Sequence, residues 1–170
     1  MKSIVFFNNK GGAGKTTLIC NVVSYLNMHM HKRVMLIDAD PQCNATQAIL
    51  SNDICEEIYL AGTSDFKTLY DYLEPIEAGD SSIDKKALSP ILGSNNKFHT
   101  DIIPGHPRMS IIEDLLSRAW SETLSGDIGG IRITNWCNQI LDELSNRYDA
   151  IFFDVGPSLG ALNRTVLLKL

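Results

Sequence analysis

The sequence predicts an α/β protein with a mostly parallel sheet that is flanked by helices on both faces. A strand, a helix and a second strand follow one another within the first 38 residues, which makes a βαβ unit with a right-handed crossover. The runs Val34–Asp38 and Ala150–Asp154 are short and almost entirely apolar until each ends in an aspartate. Runs of this kind are typical of parallel strands that are buried on both faces.

The first strand and the first helix enclose a glycine-rich loop. Ile4–Phe7 is a short apolar run that predicts the strand, and Asn8–Thr17 follows it. The next apolar residues recur at the spacing of one helix face: Leu18, Ile19, Val22, Val23 and Leu26. A glycine-rich loop that follows a strand and precedes a helix is the context in which a phosphate-loop motif is meaningful.

The loop residues predict a nucleotide phosphate site. Three glycines between Gly11 and Gly14 leave backbone N–H groups free to converge, and the positive end of the following helix points to the same place. Lys15 is predicted to reach the outer phosphates. The Thr16 hydroxyl is predicted to ligate Mg²⁺, and Thr17 is placed to contact an inner phosphate.

Acidic side chains follow two of the predicted strands. Asp38 and Asp40 come at the end of the second strand, and Asp154 ends the strand at Ala150–Asp154. Ligands of open α/β sheets bind beyond the carboxyl ends of the strands, so Asp38 and Asp154 are candidates to hold Mg²⁺. Asp40 is the candidate for orienting the attacking water, a role that Asp38 can share. A purely structural alternative is an Asp-Pro turn, with Pro41, that precedes the next helix.

The middle of the chain gives weaker signals. Thr68–Leu73 predicts a short helix that stops before Pro75, and Phe98–Pro104 predicts a strand. Ser110 and Glu113 have the spacing of a capping box, which predicts a helix that runs to about Leu124.

A second helical stripe precedes the last strand. Ile133, Trp136, Cys137, Ile140, Leu141 and Leu144 fall on one face of a helix. Trp136 is therefore expected in the core.

Composition bounds the class of protein. The chain has 170 residues, of which 44% are hydrophobic and 21% charged, with a net charge of −5, as expected for one globular domain. It contains no apolar run long enough to span a membrane and enters its first strand directly from Met1, so we expect a cytoplasmic protein. The four cysteines lie far apart, with no Cys-x-x-Cys pair and no histidine at metal spacing, which favours reduced, structural cysteines and argues against an iron–sulfur site.

Three motifs together resemble one family. Lys10-Gly11-Gly12-Ala13-Gly14-Lys15-Thr16-Thr17 resembles the deviant Walker A loop of the ParA/MinD/Soj ATPases, with Asn9 where the usual motif has glycine. The stretch from Asp38 to Thr46 is similar to the switch segment of the ParA/Soj branch, which commonly has glycine in place of Cys43. The stretch from Asp154 to Ser158 resembles the second switch loop of the same family.

The resemblance implies a fold of the phosphate-loop NTPase kind (SIMIBI-like), with residues 1–170 as a single ATPase domain that lacks its C-terminal portion. It implies ATP and Mg²⁺ as cofactors and slow, partner-stimulated hydrolysis. By resemblance, Lys10 crosses a two-fold interface to the nucleotide of the other subunit, in an ATP-dependent homodimer. The implied role is plasmid or chromosome partitioning, with a DNA-bound, ParB-like adaptor, non-specific DNA as the track and no membrane.

Three other functions remain open at this point. A MinD-like positioning ATPase shares the loop but needs an amphipathic C-terminal helix for membrane binding. A metabolic ligase or a reductase of the same superfamily is the second alternative, although the reductase is disfavoured by the absence of paired cysteines. The third is a scaffold that binds nucleotide without hydrolysing it, which the intact Lys15, Asp40 and Asp154 disfavour.

Overall fold

One sheet of four parallel strands organises the chain. Its strands are β1 (Lys2–Phe6), β2 (Val34–Asp38), β3 (Asp101–Ile103) and β4 (Ala150–Asp154), in the spatial order β1-β4-β2-β3. The structure, a computed structural model, describes residues 1–60, 64–80, 82–85 and 88–168. The last residues of β1, β4 and β2 are partners in register, namely Phe6, Asp154 and Asp38. The carboxyl ends of these strands therefore meet at one edge of the sheet.

Eight α-helices lie within the described residues. They are α1 (Lys15–Met28), α2 (Asn44–Ile49), α3 (Asn52–Leu60), α4 (Leu69–Glu77), α5 (Met109–Leu124), α6 (Ile128–Thr134), α7 (Trp136–Leu144) and α8 (Ala161–Leu167). A short 3₁₀-helix, Gly93–Asn95, precedes β3. The alternation of strands and helices confirms the predicted α/β class.

The two faces of the sheet carry separate hydrophobic cores, because successive side chains of a strand point to opposite faces. Met35 and Ile37 of β2 pack on the face that α4, α5, α7 and α8 cover. Val34 and Leu36 pack on the face that α1, α2 and α3 cover. Trp136 is fully buried in the first core, as its place on the helical stripe predicts. The expected arrangement of helices on both faces is confirmed.

Strand β1 occupies one edge of the sheet. It pairs with β4 alone among the described strands, and Ile4, Val5 and Phe6 remain only half-buried. The central strands β2 and β4 are instead buried along their whole length. One main-chain edge of β1 is therefore free of ladder hydrogen bonds within the part of the chain that the structure describes.

Two predictions about the ends of helices were wrong, and a third, about the buried face of α1, follows below. Helix α4 continues through Pro75 to Glu77, because a capping box of Thr68 and Asp71 starts it and a row of buried side chains extends into its last turn. Ser110 is not the N-cap of α5, which begins at Met109 after Arg108.

Leu18 points away from the core. It is 54% exposed, whereas Cys20, which the predicted stripe omitted, is buried beside Ile19 and Val23. The helix is therefore rotated by part of a turn relative to the predicted face.

Candidate functional site

The loop between β1 and α1 adopts the conformation that its glycines permit. Gly12 and Gly14 have positive φ values of 69° and 76°, which side-chain-bearing residues rarely adopt. A Cβ atom on Gly11, Gly12 or Gly14 would have no neighbour within 4 Å, so the space in front of the loop is open. Gly14 is the N-cap of α1, and the first N–H groups of a helix lack partners within the helix. These amides are available to phosphate oxygens.

A cavity of about 630 Å³ lies directly on this loop. The loop contributes Gly11, Gly12, Ala13, Gly14, Lys15, Thr16 and Thr17 to its wall. Asp40 and Gln42 line it from the segment after β2, and Pro157 lines it from the segment after β4. The structure thus brings together most of the predicted phosphate-binding residues and the predicted water-orienting acid.

Lys10 stands apart from this cavity. Its side chain is exposed, and it is not among the lining residues. Its backbone N–H donates a 3.0 Å hydrogen bond to Oδ1 of Asn8, which fixes the start of the loop. Lys10 is therefore placed toward the surface rather than toward the phosphate site of its own chain.

Asp154 lies beneath the loop with one oxygen unused. The Thr16 hydroxyl donates a 2.7 Å hydrogen bond to its Oδ2, while its buried Oδ1 has no hydrogen-bond partner. The carboxyl group is fully buried, and burial raises its pKa to about 6, with a smaller contribution from the negative charge of Asp40. An unpartnered buried carboxylate oxygen is costly and marks a place where a cation would bind.

These two side chains fit a magnesium ion. Mg²⁺ prefers oxygen ligands and is commonly held by one or two carboxylates together with substrate phosphates and water. Thr16 and Asp154 supply a hydroxyl and a carboxylate beside the cavity. Within the described part of the chain no group of three His, Cys, Asp or Glu side chains is placed to hold a metal, so phosphate and water would have to complete the coordination.

Asp38 is buried beside Asp154 but is fully engaged by its own chain. Thr46 donates to its Oδ2 from both the backbone N–H, at 2.8 Å, and the hydroxyl, at 2.7 Å. The backbone N–H of Asp40 donates to its Oδ1 at 3.2 Å. Burial nevertheless raises its pKa to about 7, because the desolvation of the charge outweighs these hydrogen bonds.

Thr46 is a site residue that the sequence analysis missed. It lies in the first turn of α2, so that Asp38 accepts one of the free N–H groups at the start of that helix. The Thr46 hydroxyl also accepts a 2.9 Å hydrogen bond from the N–H of Gly105. Thr46 therefore links β2, α2 and the segment after β3. The spacing of Asp38 and Thr46 alone does not show this link.

Asp40 lies in the cavity wall, where the segment after β2 and the segment after β4 come close together. Its Oδ1 accepts a 3.0 Å hydrogen bond from the N–H of Gln42. A Cβ on Gly156 would come within 3.3 Å of the same oxygen, so glycine allows the segment after β4 to approach closely. The buried amide of Asn163, a second residue that the sequence analysis missed, donates to the carbonyl oxygens of Gly156 and Ser158 at 2.8 and 2.7 Å.

Cys43 departs from the family motif but keeps a backbone conformation that suits glycine. Its φ is +54°, in the left-handed region that glycine adopts without strain. The family that the motif resembles commonly has glycine at this position. The left-handed backbone is thus kept here with a buried side chain, and burial raises the pKa of the Cys43 thiol to about 12.

Fold and site together define a phosphate-loop NTPase. Residues 1–169 match the family model described as an AAA domain, and the chain belongs to this family. No helix in the described residues is long and apolar enough to cross a membrane.

The predicted resemblance to ParA- and Soj-type proteins is confirmed by relatives. The chromosome-partitioning ATPase Soj of Treponema pallidum is 31% identical over 162 residues, which are 95% of this chain and 51% of that protein. The virulence plasmid ParA family protein of Chlamydia psittaci is 27% identical over 99% of this chain and 53% of its own length. The chain spans about half the length of these curated relatives.

Solved structures share the fold of this chain. A protein of Corynebacterium diphtheriae is 46% identical and superposes with a TM-score of 0.90, over 99% of this chain and 56% of that one. The ParA protein of pNOB8, solved with non-specific DNA, is 27% identical with a TM-score of 0.64, over 98% of this chain and 50% of that one. A cobyrinic acid a,c-diamide synthase from Mycobacterium smegmatis, solved with ADP and magnesium, shares the fold at 22% identity and a TM-score of 0.70, over 98% and 56%.

Proposed function

We propose that this protein is an ATP-binding and ATP-hydrolysing dimerisation switch of the ParA type, which acts in plasmid or chromosome partitioning. The observation that carries the proposal is the Thr16–Asp154 pair beneath an open phosphate loop, with the buried Oδ1 of Asp154 left unpartnered. In this proposal residues 1–170 belong to a single ATPase domain. Its place of action is the cytoplasm, where such DNA is found.

The proposed chemistry is positioning and charge neutralisation, which is most of what phosphoryl transfer asks of a protein. The backbone N–H groups from Gly11 to Thr17 and the Lys15 ammonium bind the β- and γ-phosphates of ATP. Thr16 and Asp154 hold Mg²⁺, which when bound would neutralise charge on the phosphate oxygens. Asp38, whose oxygens already accept three hydrogen bonds, would act on the ion through water.

Asp40 is the proposed residue for orienting the attacking water. It is the acidic side chain that lines the cavity, whereas Asp38 and Asp154 lie behind the wall. Its Oδ2 is not used by the hydrogen bond from Gln42. The sequence left this role open between Asp38 and Asp40, and the cavity favours Asp40.

Lys10 is proposed to act on the partner subunit. Its exposed side chain lies outside the cavity of its own chain, and a cation supplied in trans can stabilise the charge of a transferring phosphoryl group. Each ATP would then hold two subunits together, and hydrolysis would release them. The proposal includes slow hydrolysis that a DNA-bound ParB-like adaptor stimulates, with non-specific DNA as the track and no membrane. The likeness to a chromosome-partitioning ATPase and to a ParA protein solved with non-specific DNA supports this part of the proposal.

Calorimetric titration of Mg·ATP, and then of Mg·GTP, tests the nucleotide site. We expect saturable Mg·ATP binding that weakens at least about a hundredfold in Lys15→Ala, because the ammonium pairs with desolvated phosphates. Lys67→Ala, which removes an exposed lysine elsewhere, should bind as the wild type does. The absence of saturable binding, or equal binding by Lys15→Ala, would contradict the proposal.

Light scattering after size exclusion tests the trans role of Lys10. With Mg·ATP and a variant that hydrolyses slowly, Asp40→Ala, we expect dimers. The double variant Lys10→Ala/Asp40→Ala should bind ATP with an affinity within about threefold of the single variant but remain monomeric. Dimers of the double variant that form at the same protein concentration would exclude the role of Lys10.

A further inference from the structure

The β4–α8 loop, residues 155–160, approaches the acid to which we assign the attacking water. Gly156 is the point of approach, because a Cβ atom there would lie 3.3 Å from Oδ1 of Asp40 and 3.6 Å from its Oδ2. We infer that Asn163, in the first turn of α8, is a positioning residue that holds this loop against Asp40 and so sets the rate of ATP hydrolysis. The inference rests on the proposed function and deepens it.

Asn163 is buried and uses its side chain as a double donor. It is 3% exposed. Its Nδ2 donates hydrogen bonds of 2.8 Å to the carbonyl oxygen of Gly156 and of 2.7 Å to that of Ser158. Asparagine at the start of a helix commonly accepts a hydrogen bond from a free N–H group of that helix. The Asn163 amide instead donates to the preceding loop, and its two N–H groups match the two carbonyl groups.

The helix that carries Asn163 is a rigid support. Leu162 and Val166 of the same helix are buried in the core that α4, α5 and α7 share with it. The hydroxyl of Thr165 accepts a 2.9 Å hydrogen bond from Nε1 of Trp136 in α7, and both side chains are fully buried. A side chain on a packed helix holds its partners more precisely than a side chain on a loop.

The end of the β4–α8 loop is held by α5. A Cβ atom on Gly160 would overlap Oε1 of Glu113, so glycine allows the carboxyl group to lie against the main chain there. Burial raises the pKa of Glu113, and a hydrogen bond from the backbone N–H of Ala161 acts in the opposite direction. The hydroxyl of Ser158 accepts a 3.3 Å hydrogen bond from the N–H of Gly160. Contacts from α5 and α8 together therefore fix the path of the loop.

Asp40 needs this support because its own hydrogen bonds are local. Among the described residues its carboxyl group accepts one hydrogen bond, of 3.0 Å, from the N–H of Gln42 two positions further on. The contact with Gly156 comes from the neighbouring strand's loop and limits how far the carboxyl group can turn. Position matters here, since a displacement of about 1 Å can slow a reaction about a hundredfold. Asn163 thus acts on the reaction through Gly156 and Asp40.

Single-turnover hydrolysis of γ-labelled ATP and calorimetry of Mg·ATP test the inference with Asn163→Ala. We expect the rate constant to fall at least about tenfold. The dissociation constant should change by less than about threefold, because Asn163 does not line the cavity. The control is Asn138→Ala, at the same third position of α7, where Nδ2 donates to Asn135. The control should leave both values unchanged.

A double-mutant cycle with Asp40→Ala separates positioning from a general loss of structure. Residues that act as a unit have non-additive effects on the rate. Asn163→Ala should therefore slow hydrolysis by less than about twofold when Asp40 is already replaced. An equal loss in both backgrounds, an unchanged rate in the single variant, or a loss of Mg·ATP affinity as large as the loss of rate would overturn the inference.

The backbone amide resonance of Gln42 provides a readout that needs no hydrolysis, since this N–H donates to the carboxyl group of Asp40. In heteronuclear NMR spectra of the unliganded protein it should shift in Asn163→Ala and stay in place in Asn138→Ala. Gly156→Ala, which presses a methyl group on Asp40, should shift it too, and serves if Asn163→Ala does not fold. A Gln42 signal that these variants leave unmoved would overturn the inference.

The two readouts also separate the inference from the proposed function. A wild type that hydrolyses no ATP, with a Gln42 signal that moves as expected, refutes the proposed function and leaves the coupling of Asn163 to Asp40 standing. A wild type that hydrolyses ATP at a rate that Asn163→Ala does not change refutes the inference alone.

Discussion

Asp38 and Asp154 end neighbouring strands, are partners in register, and are both fully buried, yet their surroundings differ. Asp38 accepts three hydrogen bonds from Thr46 and Asp40. Asp154 accepts one, from Thr16, and leaves an oxygen unpartnered. The same residue type at the same sheet edge thus serves the fold in one strand and is available to a ligand in the next.

The largest expected effect concerns the support of Asp38. Thr46→Val removes a hydroxyl that donates to a buried carboxylate and accepts from the N–H of Gly105. We expect the free energy of unfolding to fall by about 3 kcal/mol, since both remaining groups lose a partner. Urea denaturation of the unliganded protein measures this change.

The matched variant is Thr16→Val, which removes the hydroxyl beside Asp154. It should lower Mg·ATP affinity at least about tenfold, whereas the free energy of unfolding should fall by only about 1 to 2 kcal/mol, because one buried acceptor rather than two groups loses its partner. If the two threonine variants gave the same pair of effects, the distinction between Asp38 and Asp154 would be lost.

The second prediction concerns the charge of Asp154. Asp154→Asn keeps an acceptor for Thr16 but removes the negative charge, so Mg·ATP affinity should fall about tenfold or more. The affinity for ATP without Mg²⁺ should rise or stay the same, because a negative charge near the phosphates is gone. Calorimetry with and without Mg²⁺ measures both values. An equal loss with and without the ion would mean that Asp154 does not act through the metal.

The smallest predicted effect is the number of protons that Asp154 releases when Mg·ATP binds. The pKa of Asp154 rises from 3.8 to about 6 in the fold, so the folded protein binds the proton more tightly than the unfolded chain does. The resulting stabilisation is complete below pH 3.8 and is lost as the pH rises through about 6. A cation on Oδ1 favours the carboxylate, so Mg·ATP binding at pH 6 should release about half a proton from this group.

Titration at pH 6 in two buffers of different ionisation enthalpy measures the protons released. Asp154→Asn is the control, since ATP itself also exchanges protons and its share is common to both proteins. Equal proton release by the wild type and the variant would show that Asp154 is already ionised in the unliganded protein.

The parts of the fold that local sequence determines were predicted well. The bounds of β2 and β4 match the predicted runs, because continuous apolar residues that end in aspartate mark buried strands. The loop from Gly11 to Gly14 was also predicted, since glycine spacing between a strand and a helix is a local signal. Pro75 was misjudged because tertiary burial of α4 outweighed a local propensity.

The parts of the site that depend on distant segments were not predicted. Thr46 contacts Gly105, which lies 59 positions further along the chain, and the approach of Gly156 to Asp40 depends on β4 lying beside β2. Cys43 lies between these cases. The family motif indicated a glycine position, but only the backbone angle gives the physical reason for it.

The unpaired side of β1 has a consequence for handling the protein. Among the described residues, the N–H and C=O groups on this side have no ladder partner along Ile4, Val5 and Phe6, which are apolar and half-buried. Such an edge is the kind of surface that recruits another extended polypeptide. A solution of this chain should therefore turn turbid in a concentration-dependent way that dilution slows. The substitution Val5→Lys would make β1 a poorer template for pairing with another chain. A segment that paired with the open side of β1 would prevent this association in the same way.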